Sequence, residues 1–163
     1  EAIEFKKQFF KEGDRYHLIP ASVFEQGWMD QVSKIGKRPI LFMAEGVFMY
    51  LDGAKVKELI LTLQSRFPGS ELVCEVVTEL FTRKPWNRMV AMKMNRQLGV
   101  GKGAAFTFGI RNSRELETWG AGIEYLDEWS YFDTGHPRLG WVGTMGKIKF
   151  MRDVQYTVHY QLR

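Results

Sequence analysis

Apolar positions fall along the chain in blocks with distinct periods. Residues 2–10 read as an amphipathic helix, with Ile3 and Phe10 seven apart and Phe9 beside them. Residues 16–22 read as a short strand. Residues 24–35 place Trp28, Val32 and Ile35 at helical spacing. Residues 40–51 form the longest apolar run, twelve residues broken by one charge, Glu45. Asp52 suits the N-cap of the next helix. Val56, Leu59, Ile60, Leu63 and Phe67 give that helix one apolar face, and Pro68-Gly69 ends it. Residues 71–78 then read as a second apolar strand. Two parallel strands joined by a helix form a right-handed crossover unit.

The second half is less regular. Residues 86–98 read as a helix carrying Met89, Met92 and Met94, a composition that fills cores but also lines adaptable pockets. Residues 104–109 suggest a strand. Residues 113–119 suggest a helix capped by Ser113, and 123–132 contain strand-like stretches. A loop with Gly135, Pro137 and Gly140 follows. Residues 154–162 alternate apolar and polar, as in an antiparallel edge strand with one solvated face.

Glu45 carries the chemical argument. An ionised carboxylate in a dry, unpaired setting costs several kcal/mol or shifts its pKa. In open α/β sheets, ligands bind beyond the carboxyl ends of parallel strands, which is where this layout puts Glu45. Two readings stand: a carboxylate satisfied by backbone N–H groups or an arginine, and a ligand-binding group.

Composition narrows the class. The 163 residues suffice for one domain, 1–163, with a substantial core, and 45% apolar and 14% aromatic content suits a globular chain. No apolar stretch reaches the roughly 20 residues that span a bilayer, so no membrane partner is expected. A lone cysteine, Cys74, excludes an internal disulfide framework and fits a reducing, cytoplasmic setting. The net charge of +4 is scattered, for example over Lys6-Lys7, Arg83-Lys84 and Lys147 with Lys149. A nucleic-acid partner would need that charge clustered on one face, and none is expected.

Other constellations carry less. Residues 99–103 are glycine-rich but follow a helix and precede a strand, the reverse of a phosphate loop. A mobile connection and a ligand contact both stay open. His17, His136 and His159 lack metal-ligand spacing, so no metal is expected. No nucleophile elbow supports a serine triad. The aromatic residues Trp119, Tyr125, Trp129, Tyr131, Phe132 and Trp141 read either as a packed cap over the sheet or as the wall of a substrate pocket.

Three segments resemble one family. Residues 39–51, PILFMAEGVFMYL, resemble the fourth-strand motif of the leucine carboxyl methyltransferase superfamily, most closely its bacterial tetracenomycin-type polyketide O-methyltransferases. Residues 1–6 look like the helix after the family's second strand. Residues 114–133 resemble the bacterial branch near its sixth strand. The resemblance implies an α/β, Rossmann-like, S-adenosylmethionine-dependent methyltransferase sheet with an antiparallel last strand. It implies an O-methyltransferase of a small-molecule, polyketide-like acceptor. The alternatives are a carboxyl methyltransferase of a protein C-terminus and a non-catalytic methyltransferase-like fragment.

The resemblance also implies roles. Glu45 and Gly46 would lie at the methionine end of the cofactor, and Ser22, Val23 and Phe24 along the adenine. Many relatives carry an acidic residue near Ser22, and without it that contact falls to backbone groups or Val23. Tyr50, Trp119 and Trp129 would line the substrate pocket. No catalytic base is named. The family's glycine-rich loop and ribose-binding acid lie upstream of Glu1, so the chain reads as the C-terminal portion of the domain, lacking the first two strands. Those strands would sit between the third and fourth. The strand holding Glu45 then becomes an exposed edge that pairs with another copy. Alone, such a chain is expected to bind the cofactor weakly and to be inactive.

Overall fold

The computed structural model describes residues 2–35, 39–98, 105–133, 135, 140, 144, 146, 148 and 152–163. The glycine-rich segment 99–103, His136, Pro137 and Trp141 therefore lie outside the described residues, as does the side chain of Met94. The chain forms two compact units, Glu1–Arg38 and Pro39–Arg163.

In the first unit, α1 spans Ala2–Lys6 and α2 spans Gly27–Ser33. Both are shorter than their apolar spacing predicts. Residues 22–25 instead form a turn, in which Glu25 donates its N–H to the carbonyl of Ser22. Trp28 Nε1 donates to the Val23 carbonyl at 3.1 Å, outside the helix. Residues 16–22 do not form a strand. Among the described residues their one ladder contact is an isolated bridge between Gly13 and Tyr16. Strand hydrogen bonds need a neighbouring strand, and Pro20 lacks an N–H to give. Among the described residues of this unit, Leu18 and Met29 are the buried apolar ones.

The second unit is built on a four-stranded sheet. Its strands are β1 (Leu41–Ala44), β2 (Ser70–Val77), β3 (Ile123–Ser130) and β4 (Gln155–Leu162), in the order β1-β2-β4-β3. β1 runs parallel to β2, in register from Leu41 opposite Glu71 to Ala44 opposite Cys74. β4 is antiparallel to both β2 and β3, so β1, β2 and β3 share one direction and only the last strand opposes them. β4 is not the edge strand that its alternation suggests. Alternation reports one solvated face and says nothing of lateral neighbours, and here β3 covers the second edge.

Between β1 and β2 runs α3, Gly53–Arg66. Asp52 caps it as predicted, its side chain accepting the N–H of Lys55 at 3.1 Å. Val56, Leu59, Ile60 and Leu63 are buried along its inner face. Phe42 faces the same side of the sheet as its register partner Leu72, and its ring lies 5.4 Å from that of Phe67 just past α3. The helix therefore covers that face. On it the strands bury Leu72, Cys74 and Val76 with Tyr156, Val158, Tyr160 and Leu162. Each fully buried Leu or Ile contributes about 1.5–3 kcal/mol. The other face is more polar. It carries Glu71, Val73 and Glu75 from β2, and Thr157, His159 and Gln161 opposite them on β4. His159 and Glu71 approach there to 2.7 Å.

Helix α4 spans Trp86–Leu98, as predicted. Trp86 and Val90 pack on a small core of Met49, Val77, Phe81 and Phe106, whereas Met89 and Met92 are exposed. Residues 105–109 make no strand. A single parallel bridge joins Thr78 to Ile110. Ser113 caps no helix: its hydroxyl donates to Glu128, and a 3-10 turn, Glu115–Thr118, replaces the expected α-helix.

Candidate functional site at the carboxyl ends of the strands

β1 ends at Ala44, opposite Cys74. Each is followed by a glutamate, Glu45 just past the end of β1 and Glu75 still within β2, so the two fall level where the parallel pairing stops. Their environments differ sharply. Glu75 is 4% exposed, while Glu45 is exposed. The expectation of a dry setting at Glu45 is thereby corrected. β1 is short and peripheral, and Leu41 and Met43 are themselves exposed, so its apolar run does not enclose the charge. The buried carboxylate is Glu75.

Among the described residues three donors converge on Glu75. The Gly46 backbone N–H donates to Oε2 at 2.8 Å. Gln155 Nε2 donates to Oε1 at 2.7 Å, and the Tyr131 hydroxyl donates to the same oxygen. These donors satisfy a charge that would otherwise be costly inside the protein. They also tie together four segments: the turn after β1, β2 itself, the first residue of β4 and the first residue after β3. Gly46 has φ +63°, a left-handed conformation that glycine adopts freely and other residues resist.

The hydrogen bond to Glu75 holds the Tyr131 phenol protonated, pushing its pKa up to about 12, with burial and the charges of Glu75 and Glu45 adding in the same direction. Trp129 meets Tyr131 edge-on with ring centroids 5.4 Å apart. Both rings are partly exposed. Tyr50 ends the 3-10 turn Phe48–Tyr50, and its ring lies tilted against that of Phe106 with centroids 5.6 Å apart. Thr107 secures this turn, its N–H donating to the Met49 carbonyl at 2.8 Å and its hydroxyl to that of Leu51 at 2.8 Å.

Of the residues expected from sequence, the structure gathers Glu45, Gly46 and Trp129 around the Glu75 cluster and puts Tyr50 on the separate 3-10 turn that follows Gly46. Trp119 is elsewhere. Its ring packs on Phe108 at 6.1 Å beneath Lys57 of α3, whose ammonium lies 5.9 Å from the ring centre. Ser22, Val23 and Phe24 lie in the first unit, so the cluster draws on the second unit alone. Glu75, Gln155 and the polar role of Tyr131 were not foreseen. Glu75 had a signal: it too is a lone charge between Leu72-Val-Cys74 and Val76-Val77.

A cavity of about 300 Å³ opens near the same end of the sheet, lined by Thr78, Asn112, Ser113, Glu128, Asp153 and Tyr156 among others. Arg152 pairs with the lining residue Glu128 at 3.1 Å and with Asp133 at 3.0 Å. That pairing holds the Asp133 carboxyl below its ordinary range. Among the described residues no group of His, Cys, Asp or Glu is arranged to hold a metal ion, and no helix is long and apolar enough to cross a membrane.

No protein-family profile matches the chain. In sequence it is similar to the tetracenomycin polyketide synthesis O-methyltransferase TcmP of Streptomyces glaucescens, 31% identical over 166 residues, covering 98% of this chain and 58% of that protein. In fold it is similar to a candidate methyltransferase from Thermobifida fusca, with TM-score 0.60, 12% identity, and 99% and 59% of the two chains covered. A DUF574 family protein from Streptomyces avermitilis aligns with TM-score 0.56 at 12% identity, over 89% of this chain and 54% of that one. The chain thus spans somewhat more than half the length of these relatives. The resemblance to the tetracenomycin-type O-methyltransferases is thus borne out as a similarity, one that runs over nearly the whole of this chain and over part of that relative's length.

Proposed function

We propose that the chain is the part of an S-adenosylmethionine-dependent O-methyltransferase that holds the methionine end of the cofactor and faces a small-molecule oxygen acceptor. One observation carries this reading. Glu45 presents an exposed carboxylate at the carboxyl end of a parallel strand, and among the described residues no hydrogen bond or ion pair engages it. Its neighbour Gly46 is held by Glu75. A carboxylate placed in this way fits an ammonium group, which it would hold by charge-assisted hydrogen bonds.

Gly46 acts by shape in this reading. Its N–H is committed to Glu75, so it offers the ligand a turn and no donor. When bound, the cofactor supplies a methyl group already activated as a sulfonium. The task left to the protein is alignment and exclusion of water. Tyr50 and Trp129 offer partly exposed aromatic surface for an apolar acceptor beside Glu45, as ligand pockets commonly do. The Rossmann-like character of the sheet is part of the proposal. It is supported by the crossover β1-α3-β2 and by a single opposed strand.

The test is methyl transfer by the complete gene product. It is incubated with methyl-labelled S-adenosylmethionine and a panel of phenolic and carboxylic small molecules. Label in an O-methylated small molecule is expected. Label found instead on the C-terminus of a protein added to the same mixture would contradict the proposal.

A further inference from the structure

We infer that Glu75 is the positioning residue of this site, fixing the Glu45 turn and the Tyr131 ring relative to one another through a single buried carboxylate. The inference deepens the proposed function and rests on it for the identity of the ligand, a cofactor bearing an ammonium group.

Glu75 cannot act by touch. It is 4% exposed, and its oxygens are occupied by Gly46, Tyr131 and Gln155. Two of these donors belong to groups that do reach the surface. Gly46 follows directly on the exposed Glu45. Tyr131 is 44% exposed and carries Trp129 against it. An error in either partner is therefore transmitted to the other. The carboxylate is suited to this because it only accepts, and both oxygens accept at once. Glutamine has the same shape but one acceptor oxygen, so its NH₂ group would oppose one of the three donors. A need for core filling alone would be met at least as well by an apolar residue, since a buried charge is weak evidence for stability.

The experiment compares wild type, Glu75→Gln, Glu45→Ala, the double variant and Tyr131→Phe in the complete gene product, with S-adenosylhomocysteine as the calorimetric probe. Glu75→Gln is expected to weaken binding about tenfold, the loss of one charge-assisted hydrogen bond. On the Glu45→Ala background the same change should cost less than about twofold, because the two residues act through one contact. Full additivity, or Glu75→Gln binding like wild type, would overturn the inference.

Hydrogen exchange at the Gly46 amide gives a second readout that needs no ligand. Exchange should quicken about tenfold in Glu75→Gln as its acceptor is lost. An unchanged rate overturns the inference even if the probe fails to bind wild type, a result that would sink the proposed function instead. Should Glu75→Gln not fold, Tyr131→Phe decides. It removes one hydroxyl and should weaken probe binding at least about threefold. Wild-type affinity in Tyr131→Phe would break the claimed link.

Discussion

The backbone N–H of Gly46 meets the carboxylate of Glu75 at 2.8 Å, a contact between residues 29 apart that locks the turn after β1 onto the interior of β2. The turn works because Gly46 sits at φ +63°. A Cβ added there would meet Glu75 Oε2 at 3.8 Å, an ordinary contact, so substitution is penalised by backbone conformation and not by crowding. Gly46→Ala is expected to lower stability by about 1–2 kcal/mol, read as a shifted urea midpoint at unchanged slope. A midpoint equal to wild type would show that the turn relaxes.

Gly109 makes a different demand. Its C-terminal neighbour is the bridge residue Ile110, whose N–H donates to the Val77 carbonyl at 2.9 Å. A Cβ at Gly109 would come within 2.8 Å of that carbonyl oxygen and 3.0 Å of the Glu79 backbone. Backbone atoms cannot swing aside. Gly109→Ala should therefore cost about 1–3 kcal/mol, as overpacking does. Thermal denaturation that leaves the two proteins indistinguishable would count against the close approach.

Tyr131 supplies a pH-dependent prediction. Its folded pKa, about 12, lies above the ordinary phenol value. The contribution is fully present below pH ~10, where the phenol is protonated in both states, and is lost as pH rises towards the folded value. Ring-carbon NMR should show the Tyr131 phenol titrating later than that of an exposed tyrosine. In Glu75→Gln its midpoint should fall towards 10. A midpoint indifferent to that substitution would mean that the hydroxyl does not depend on Glu75.

Among the described residues β1 pairs on one side only, with β2, and Leu41 and Met43 are exposed at 54% and 70%. A short apolar edge of this kind is a template for pairing. The chain is expected to associate with a second copy at tens of micromolar. Met43→Lys should favour the monomer, with light scattering as the readout. A wild-type monomer at those concentrations would remove the expectation.

Local physics explains which features could be read from the sequence. The buried face of α3 and the cap at Asp52 were legible because both depend on residues within a few positions of one another. The bounds of α4 were legible for the same reason. The segment 16–22 has strand-like composition, but a strand exists only with a neighbour, and its pairing is limited to one bridge. β4 showed its solvated face in its alternation, yet its place between β2 and β3 depends on residues some thirty and eighty positions away. The site divides in the same way. A charge in an apolar run marked the carboxyl end of β1, the end at which the Glu75 cluster also lies. Which of two level glutamates is buried was settled by the lateral position of their strands, and sequence does not record that. Gln155 lies 80 residues from Glu75 and had no local signal.

The most direct test is calorimetric titration of S-adenosylmethionine into the complete gene product and its Glu45→Ala variant. Binding is expected to weaken by about 1–3 kcal/mol when the carboxylate is removed, the range for losing a charged hydrogen-bond partner. Equal affinity in the two proteins would contradict it.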